Sequence, residues 1–195
     1  MEKENIKAFK LGVVCISFYF FNYVLRNVLS VAAPSMIKES FFSASYIGLL
    51  SSVYFISYSV GQFINGFICD RLHFKFTLTV GMEVGCLCLF TVPLIENRPI
   101  HFICFSVMGY CLSMIRGTLT KISSENTDIK YARIICSGFS ASCYIGPLGA
   151  SLLALFLPWR MVFTVAASVG AIAAATDILL LSVFEKKRIH FICAD

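Results

Sequence analysis

The sequence has few charged residues. Asp, Glu, Lys and Arg make up 14% of its 195 residues, against roughly 25% in soluble domains. Hydrophobic residues make up 58%, and the mean hydropathy is +0.81. A water-soluble domain of this size could not bury that much apolar surface. A soluble globular fold is therefore excluded, and lipid is the expected solvent.

Metal-binding and redox patterns are also missing. The sequence has nine cysteines, an odd number, and none of them forms a C-x-x-C pair. All except Cys193 fall within or at the edges of long apolar runs, where a thiol behaves as a small apolar group. Three histidines fall near the ends of these runs and are expected at the membrane interface: His73, His101 and His190. We predict no disulfide framework, no metal site and no cofactor.

Catalytic constellations are absent as well. No nucleophile lies beside a base, no histidines cluster, and no two carboxylates share the middle of an apolar run. These are the groups from which general acid–base and nucleophilic catalysis are built. The sequence is therefore not predicted to be an enzyme, although a six-helix membrane enzyme is the alternative from another functional class.

The sequence does contain six long apolar runs. Each is long enough to cross a bilayer as a helix, which needs about 20 residues, and too uniform for the alternating strands of ~10 residues found in membrane barrels. We predict an all-α polytopic membrane protein, a single six-helix transmembrane bundle over residues 1–195. The expected spans are about 11–33, 47–69, 76–95, 100–119, 134–157 and 161–184. The longest connection is predicted to be a polar loop over Thr120–Arg133.

Lysine and arginine are divided unequally between the two ends of the predicted bundle. Eleven fall on the side of the chain termini, against three on the other side: Lys38, Arg98 and Arg160. By the positive-inside rule, both termini are expected in the cytoplasm of a cell (plasma or inner) membrane. This asymmetry explains the net charge of +5 without a nucleic-acid partner. A cleaved signal peptide is disfavoured because the first run exceeds the usual 7–15 apolar residues and contains Arg26.

Arg26 is a charged residue inside the first predicted span. A charge at bilayer depth costs about 2.5–3.5 kcal/mol on insertion scales. Snorkelling to the outer interface would have to cover ~12 Å, which the side chain spans only in part. We therefore expect Arg26 to line a polar cavity. It shares one helix face with four other polar residues: Tyr19, Asn22, Tyr23 and Ser30.

Two further spans carry polar stripes that are expected to face the bundle interior. The second span has Tyr54, Tyr58, Gly61, Gln62 and Asn65, and the fifth has Ser137, Ser140 and Tyr144. The alternative is that these groups only bond neighbouring helices, at about 0.6 kcal/mol per contact. Six residues of the three stripes are the predicted substrate-binding residues: Arg26, Asn22, Tyr23, Tyr58, Gln62 and Tyr144.

Three more charges lie inside predicted spans, near their cytoplasmic ends. These are Glu83, Arg116 and Asp177. Unpaired charges would be costly there, whereas paired charges offset one another. We predict a cytoplasmic-side ion cluster of these three residues, with a structural or gating role rather than contact with a solute.

The segment Gly66–Lys75 resembles the loop signature of the major facilitator superfamily, G-x-L-x-D-R-x-G-R-K. The matching positions are Gly66, Asp70, Arg71 and Lys75, whereas His73 and Phe74 depart from the pattern. The location between the second and third spans agrees with the signature. A gating or structural role is implied for the four matching residues, and Gly66 is expected to allow close helix packing.

Residues 20–75 also resemble the organophosphate:phosphate antiporter branch of that superfamily. The similarity is carried by Tyr23–Asn27, Pro34, Gly48 and Tyr58–Phe63. It implies a secondary active transporter for an anionic or phosphorylated small solute, with Arg26 as a phosphate ligand, a role that suits the donor fork of a guanidinium. Gly146 and Pro147 weakly resemble a motif of drug–proton antiporters, which leaves that class as an alternative.

The resemblance covers only the N-terminal six-helix half of a superfamily member, which has about twelve spans in two halves. The expected partners are the lipid bilayer, a small anionic solute, and either a second six-helix half or a homodimer partner. The alternative is a truncated product that inserts into the membrane and transports nothing.

Overall fold

The protein consists of long helices. The computed structural model describes the backbone of residues 2–68 and 72–192 and the side chains of residues 6–68 and 72–182. Within these ranges the elements are α1 (Glu2–Lys38), α2 (Ala44–Ile68), α3 (Phe74–Leu94), α4 (Arg98–Asn126), α5 (Ile129–Phe156) and α6 (Trp159–Ile192). All six are long and apolar enough to cross a membrane. The predicted all-α, six-span class is confirmed.

The connection between α4 and α5 is much shorter than predicted. The expected polar loop over Thr120–Arg133 is wrong, because α4 continues to Asn126 and α5 begins at Ile129. The polar side chains of this stretch bond to their own helix, as when the Ser123 hydroxyl donates to the Leu119 carbonyl at 2.9 Å. Polarity marks the end of the apolar span here, and the helix itself extends beyond it.

Prolines mark the starts of α4 and α6. Pro99 stands in the first turn of α4, where its missing N–H removes no helical hydrogen bond and its fixed φ suits the helix. Pro158 precedes α6, and its carbonyl accepts from the Met161 amide at 2.8 Å. The short connections are therefore encoded locally, and they turn each helix back beside the one before it.

The helices form two layers. In the front layer α5 contacts α1, α1 contacts α4, and α4 contacts α2; in the back layer α3 contacts α6. In the described part of the chain, α2 and α5 do not touch each other, so α1 and α4 lie between them. The open face is our name for the side of the front layer that α3 and α6 leave uncovered.

The two ends of the bundle can be told apart. Near Gly170, α6 contacts Leu25 of α1, whereas further along α6 Asp177 lies beside Ser17. The two helices are therefore antiparallel, and α1 begins at the end of the bundle where α6 finishes. We call this the terminal end and the opposite one the far end.

Small residues bring α2 and α4 into close contact. A Cβ atom added to Gly61 would collide with the Ser113 hydroxyl, to which the Asn65 amide donates at 2.7 Å. One turn away, the hydroxyls of Ser57 and Ser106 are 2.8 Å apart. The same role was predicted for Gly66 and is wrong, because a Cβ there would meet nothing within 4 Å.

An aromatic cluster closes the far end. The Trp159 indole N–H donates to the Glu39 carboxylate at 2.6 Å, which joins the α1–α2 connection to the start of α6. His101, predicted at the interface, is instead fully buried, with its ring 5.1 Å from that of Phe42. These contacts fix the far ends of α1, α2, α4 and α6 relative to one another.

Candidate substrate-binding site

Arg26 lies in a cage of aromatic rings. Its guanidinium carbon is 4.5 Å from the ring centre of Tyr58, 5.2 Å from that of Phe55, 5.4 Å from that of Tyr23 and 5.9 Å from that of Tyr54. Ring faces attract a cation, and more strongly where water is excluded. The cage holds the guanidinium of α1 against α2.

The position of Arg26 along α1 excludes snorkelling to the far end. The helix continues for 12 residues beyond it, to Lys38, which corresponds to roughly 18 Å. The residue is half-buried, and within residues 6–68 and 72–182 no carboxylate forms an ion pair with it. A cation in this position, surrounded by rings and lacking an anionic partner, is suited to receiving an anion.

Close contact between α1 and α5 positions Tyr23. A Cβ atom added to Gly146 would collide with the Cβ of Tyr23 and come within 3.2 Å of its backbone. The Tyr23 ring also makes an edge contact of 5.1 Å with Tyr19, whose ring lies 5.0 Å from Phe139 of α5. Gly146 therefore determines how closely α5 supports one wall of the cage.

Tyr58 and Gln62 extend the site toward the terminal end. The Gln62 amide donates to the Tyr58 hydroxyl at 3.3 Å, so one side chain of the cage is bonded to the next polar residue of α2. Tyr58 is buried, whereas Gln62 is exposed. Together they make a polar path leading away from Arg26.

Asn22 lies beneath the site rather than on its surface. It is one helical turn before Arg26, but it is only 2% exposed and its Oδ1 has no hydrogen-bond partner. The structure places Asn22 on the predicted face of α1 without giving it an accessible surface.

Tyr144 is not brought to Arg26. It is 78% exposed, and it lies two residues before Gly146, which faces α1. At 100° per residue, this puts Tyr144 roughly 200° away from the face that contacts α1. The predicted inward orientation of the fifth-span stripe is therefore wrong for Ser137, Ser140 and Tyr144, all of which are exposed. The small residues Gly138 and Gly146 occupy the face of α5 that packs against α1.

The predicted ion cluster is not formed among the described side chains. Asp177 is 6% exposed, and its Oδ2 has no partner. Arg116 is exposed and lines a cavity between α2 and α4, whereas Asp177 faces Ser17 of α1. Glu83 is half-buried on α3 and pairs with neither. The three residues have similar depths, but their helices turn them toward different neighbours.

Comparison with known proteins identifies the family. The family model of the Major Facilitator Superfamily matches residues 15–190. The chain belongs to the Major Facilitator Superfamily. The six-helix arrangement agrees with half of the fold of that superfamily, and the predicted family is confirmed.

Similarity to three named transport and sensor proteins covers short segments. The membrane sensor protein UhpC of Salmonella typhimurium is 30% identical over 64 residues, which are 33% of this chain and 14% of that protein. The hexuronate transporter of Bacillus subtilis is 38% identical over 77 residues, 38% of this chain and 18% of that protein. A probable hexose phosphate transport protein of Chlamydia pneumoniae is 23% identical over 84 residues, 42% of this chain and 18% of that protein. The chain thus covers less than a fifth of each relative's length.

The superfamily loop signature is only partly described by the structure. Asp70 and Arg71 lie outside the described residues. Lys75 stands in the first turn of α3, where its backbone amide donates to Nδ1 of His73 at 3.4 Å. The histidine that departs from the signature therefore caps the helix that follows.

Three features of the site were not predicted from the sequence. Tyr54 was placed on the correct face but not among the binding residues, and Phe55 was not considered. Tyr54 and Phe55 lie within about one turn of Tyr58 on α2. This spacing could have predicted that the three rings contact the same group. The cavity at Arg116 gave no such signal, because its form depends on the packing of α2 against α4.

Proposed function

We propose that this chain is a six-helix half of a secondary active transporter for a small anionic solute, with Arg26 as the anion ligand. The observation that carries the proposal is a half-buried guanidinium enclosed by aromatic rings, with no carboxylate partner among the side chains that the structure describes. Relatives named for hexuronate and hexose phosphate support an acid or phosphate ester as the solute.

The chemistry of the cage supports an oxyanion. A guanidinium presents five N–H donors in a planar fork that matches carboxylate and phosphate oxygens. Tyr23 and Tyr58 add hydroxyl groups beside it, which suits a solute that carries hydroxyls next to its anionic group. Inside a membrane the pairing of opposite charges is only weakly screened, so the bound anion offsets the cost of placing Arg26 there.

The open face supports a second six-helix half as partner. The most apolar segments of α2 and α5 are only 28% and 22% buried, against 56% for α1. These two helices are the outer ones of the front layer, on either side of the pair formed by α1 and α4. Transporters built from repeats place the solute at the repeat interface and move by rocking one repeat against the other. A second copy of this chain is the alternative occupant.

The solute site is tested by binding of labelled inorganic phosphate to the full chain in nanodiscs. Arg26→Ala is expected to remove a phosphate site. Arg26→Lys keeps the positive charge but lacks the planar set of N–H donors of a guanidinium, and it is expected to weaken phosphate binding by about tenfold, or ~1.4 kcal/mol. Lys38→Ala is the matched control, because it removes an exposed cation from the same helix.

Phosphate exchange in proteoliposomes extends the test to transport. Phosphate exchange that depends on Arg26 would support a chain that transports by itself. Phosphate binding without exchange would support a six-helix half that needs a second half for transport. Equal phosphate binding by wild type, Arg26→Ala and Lys38→Ala would contradict the proposal, since the cage would then have no part in anion recognition.

A further inference from the structure

A second polar cavity lies between α2 and α4. Its volume is about 490 Å³, within the range of roughly 300–1,000 Å³ that small-molecule sites occupy. It is lined by two cations, Arg116 and Lys121, and by polar side chains that include Gln62, Asn65 and Thr120. None of its described lining residues is acidic. Within the described lining, the Arg116 guanidinium therefore faces the cavity without a carboxylate beside it.

Arg116 lies within the membrane-spanning part of α4. It lies three residues before the end of the predicted span at residue 119, and the helix continues beyond the span to Asn126. The guanidinium is exposed and forms no ion pair among the described side chains. A charged group inside a span is usually paired or functional, and among the described residues Arg116 lines the polar cavity.

The wall of the cavity also offers an unused hydrogen-bond acceptor. Asn65 is 2% exposed, and its Nδ2 donates to Ser113 at 2.7 Å. Its Oδ1 has no partner. A buried acceptor beside two cations fits a ligand that brings an anionic group together with a hydroxyl donor.

The cavity is separate from the Arg26 cage and lies next to it along α2. Tyr58 touches the Arg26 guanidinium, whereas Gln62 and Asn65 of the cavity lie four and seven residues further along α2, roughly 6–10 Å nearer the terminal end. The hydrogen bond from Gln62 to Tyr58 joins the two. An anion at Arg116 would therefore lie on the path by which a solute reaches Arg26 from the terminal end.

We propose that Arg116 forms a second oxyanion site, which holds a phosphate or carboxylate group before or after it occupies the Arg26 site. The ligand class rests on the proposed function, but the site itself does not. A lipid headgroup and a free solute share this chemistry, since both present a phosphate oxygen to the guanidinium.

One glycine allows the cavity to be filled without disturbing the fold, and another offers a control. Gly117 lines it, and a Cβ there would meet nothing within 4 Å. Leucine at this helical position is expected to occupy the cavity while improving helix propensity. Gly48 is the matched control, because it is also helical, equally unobstructed, and near the far end of α2.

The test measures binding of labelled inorganic phosphate to the full chain in nanodiscs, in the Arg26→Ala background. Residual binding is expected, and it should be lost on adding Arg116→Ala or Gly117→Leu but kept on adding Gly48→Leu. Nanodiscs of zwitterionic lipid alone and nanodiscs with phosphatidylglycerol separate the two sources. If residual phosphate binding is lost only in nanodiscs with phosphatidylglycerol, the ligand of the site is a lipid headgroup. If binding is equal in the two kinds of nanodisc, the ligand is a free solute.

Two results would overturn the second site. One is the absence of residual phosphate binding by Arg26→Ala in either lipid, and the other is residual binding that Arg116→Ala and Gly117→Leu leave unchanged. If instead Arg26→Ala binds as wild type while Arg116→Ala does not, the proposed function fails at Arg26 and the second site stands. Size-exclusion profiles matching wild type show that each variant is folded.

Discussion

Charged residues inside the helices of this protein have different surroundings. Arg26 touches four rings, and Arg116 faces a polar cavity. Asp177, in contrast, is 6% exposed with an unpartnered Oδ2. A buried carboxylate whose described side-chain partner is the Ser17 hydroxyl and not a cation is costly, so a membrane charge is not by itself a sign of a solute site. The surroundings of each charge decide which role it can have.

Replacing Asp177 with asparagine is expected to raise stability. The amide keeps the shape of the side chain and removes a charge that has no cation beside it, a change worth about 1–3 kcal/mol. Thermal unfolding in detergent should show a higher Tm than wild type. Glu125→Gln is the control, because it neutralises an exposed carboxylate near the same end of the bundle and should leave Tm unchanged. A lower Tm for Asp177→Asn would mean that the carboxylate makes a stabilising contact.

The contacts of site residues could be predicted from the sequence where both partners lie on the same helix. The stripe of Arg26 and Tyr23, and the pair Tyr58 and Gln62, follow from helical spacing alone. Membrane depth, too, can be counted along the sequence. The partners of Asp177 and Arg116 could not be counted in this way, because they depend on how each helix is rotated against its neighbours.

At the scale of helices, competing signals on α5 explain the error at Tyr144. Serines and a tyrosine form one stripe, and small residues form another on the opposite side. Polar stripes and small-residue stripes both mark helix contacts in membranes. On α5 close approach to α1 prevails, with Gly138 against Ile16 and Gly146 against Tyr23. On α2 the two signals coincide, since Gly61 lies in the polar stripe, and the predicted inward orientation holds for every residue of that stripe except Gln62, which is exposed.

Gly146→Ala is expected to disturb the Arg26 site from a neighbouring helix. The added methyl group would overlap Tyr23 and push α5 away from α1, a packing conflict that costs about 1–3 kcal/mol. Both Tm and phosphate affinity should fall, because Tyr23 is a wall of the cage. Gly48→Ala should instead raise stability by about 0.5–1 kcal/mol, since nothing lies within 4 Å of its added methyl group. Unchanged phosphate affinity in a destabilised Gly146→Ala protein would show that Tyr23 is not needed at the site.

At the scale of the whole molecule, the two ends of the bundle differ in character. The far end is closed by aromatic contacts around Trp159 and carries few cations, among them Arg160 against the Trp159 ring. The terminal end carries most lysines and arginines of the sequence, and the Arg116 cavity lies toward it. The apolar runs and the positions of lysine and arginine along the sequence predicted the number of helices and this charge asymmetry. It could not give the layers, because these depend on which helix faces are complementary in shape.

The charge asymmetry predicts that the terminal end faces the cytoplasm. Alkaline phosphatase inserted in the α3–α4 connection at Asn97 should be active, since that enzyme needs the oxidising exterior. The same insertion at Thr127, between α4 and α5, should be inactive, and a fluorescent protein should show the reverse pattern. Both sites lie in short connections, so each insertion leaves the helices intact. Phosphatase activity at Thr127 and not at Asn97 would invert the orientation, and the Arg116 cavity would then receive anions from outside the cell.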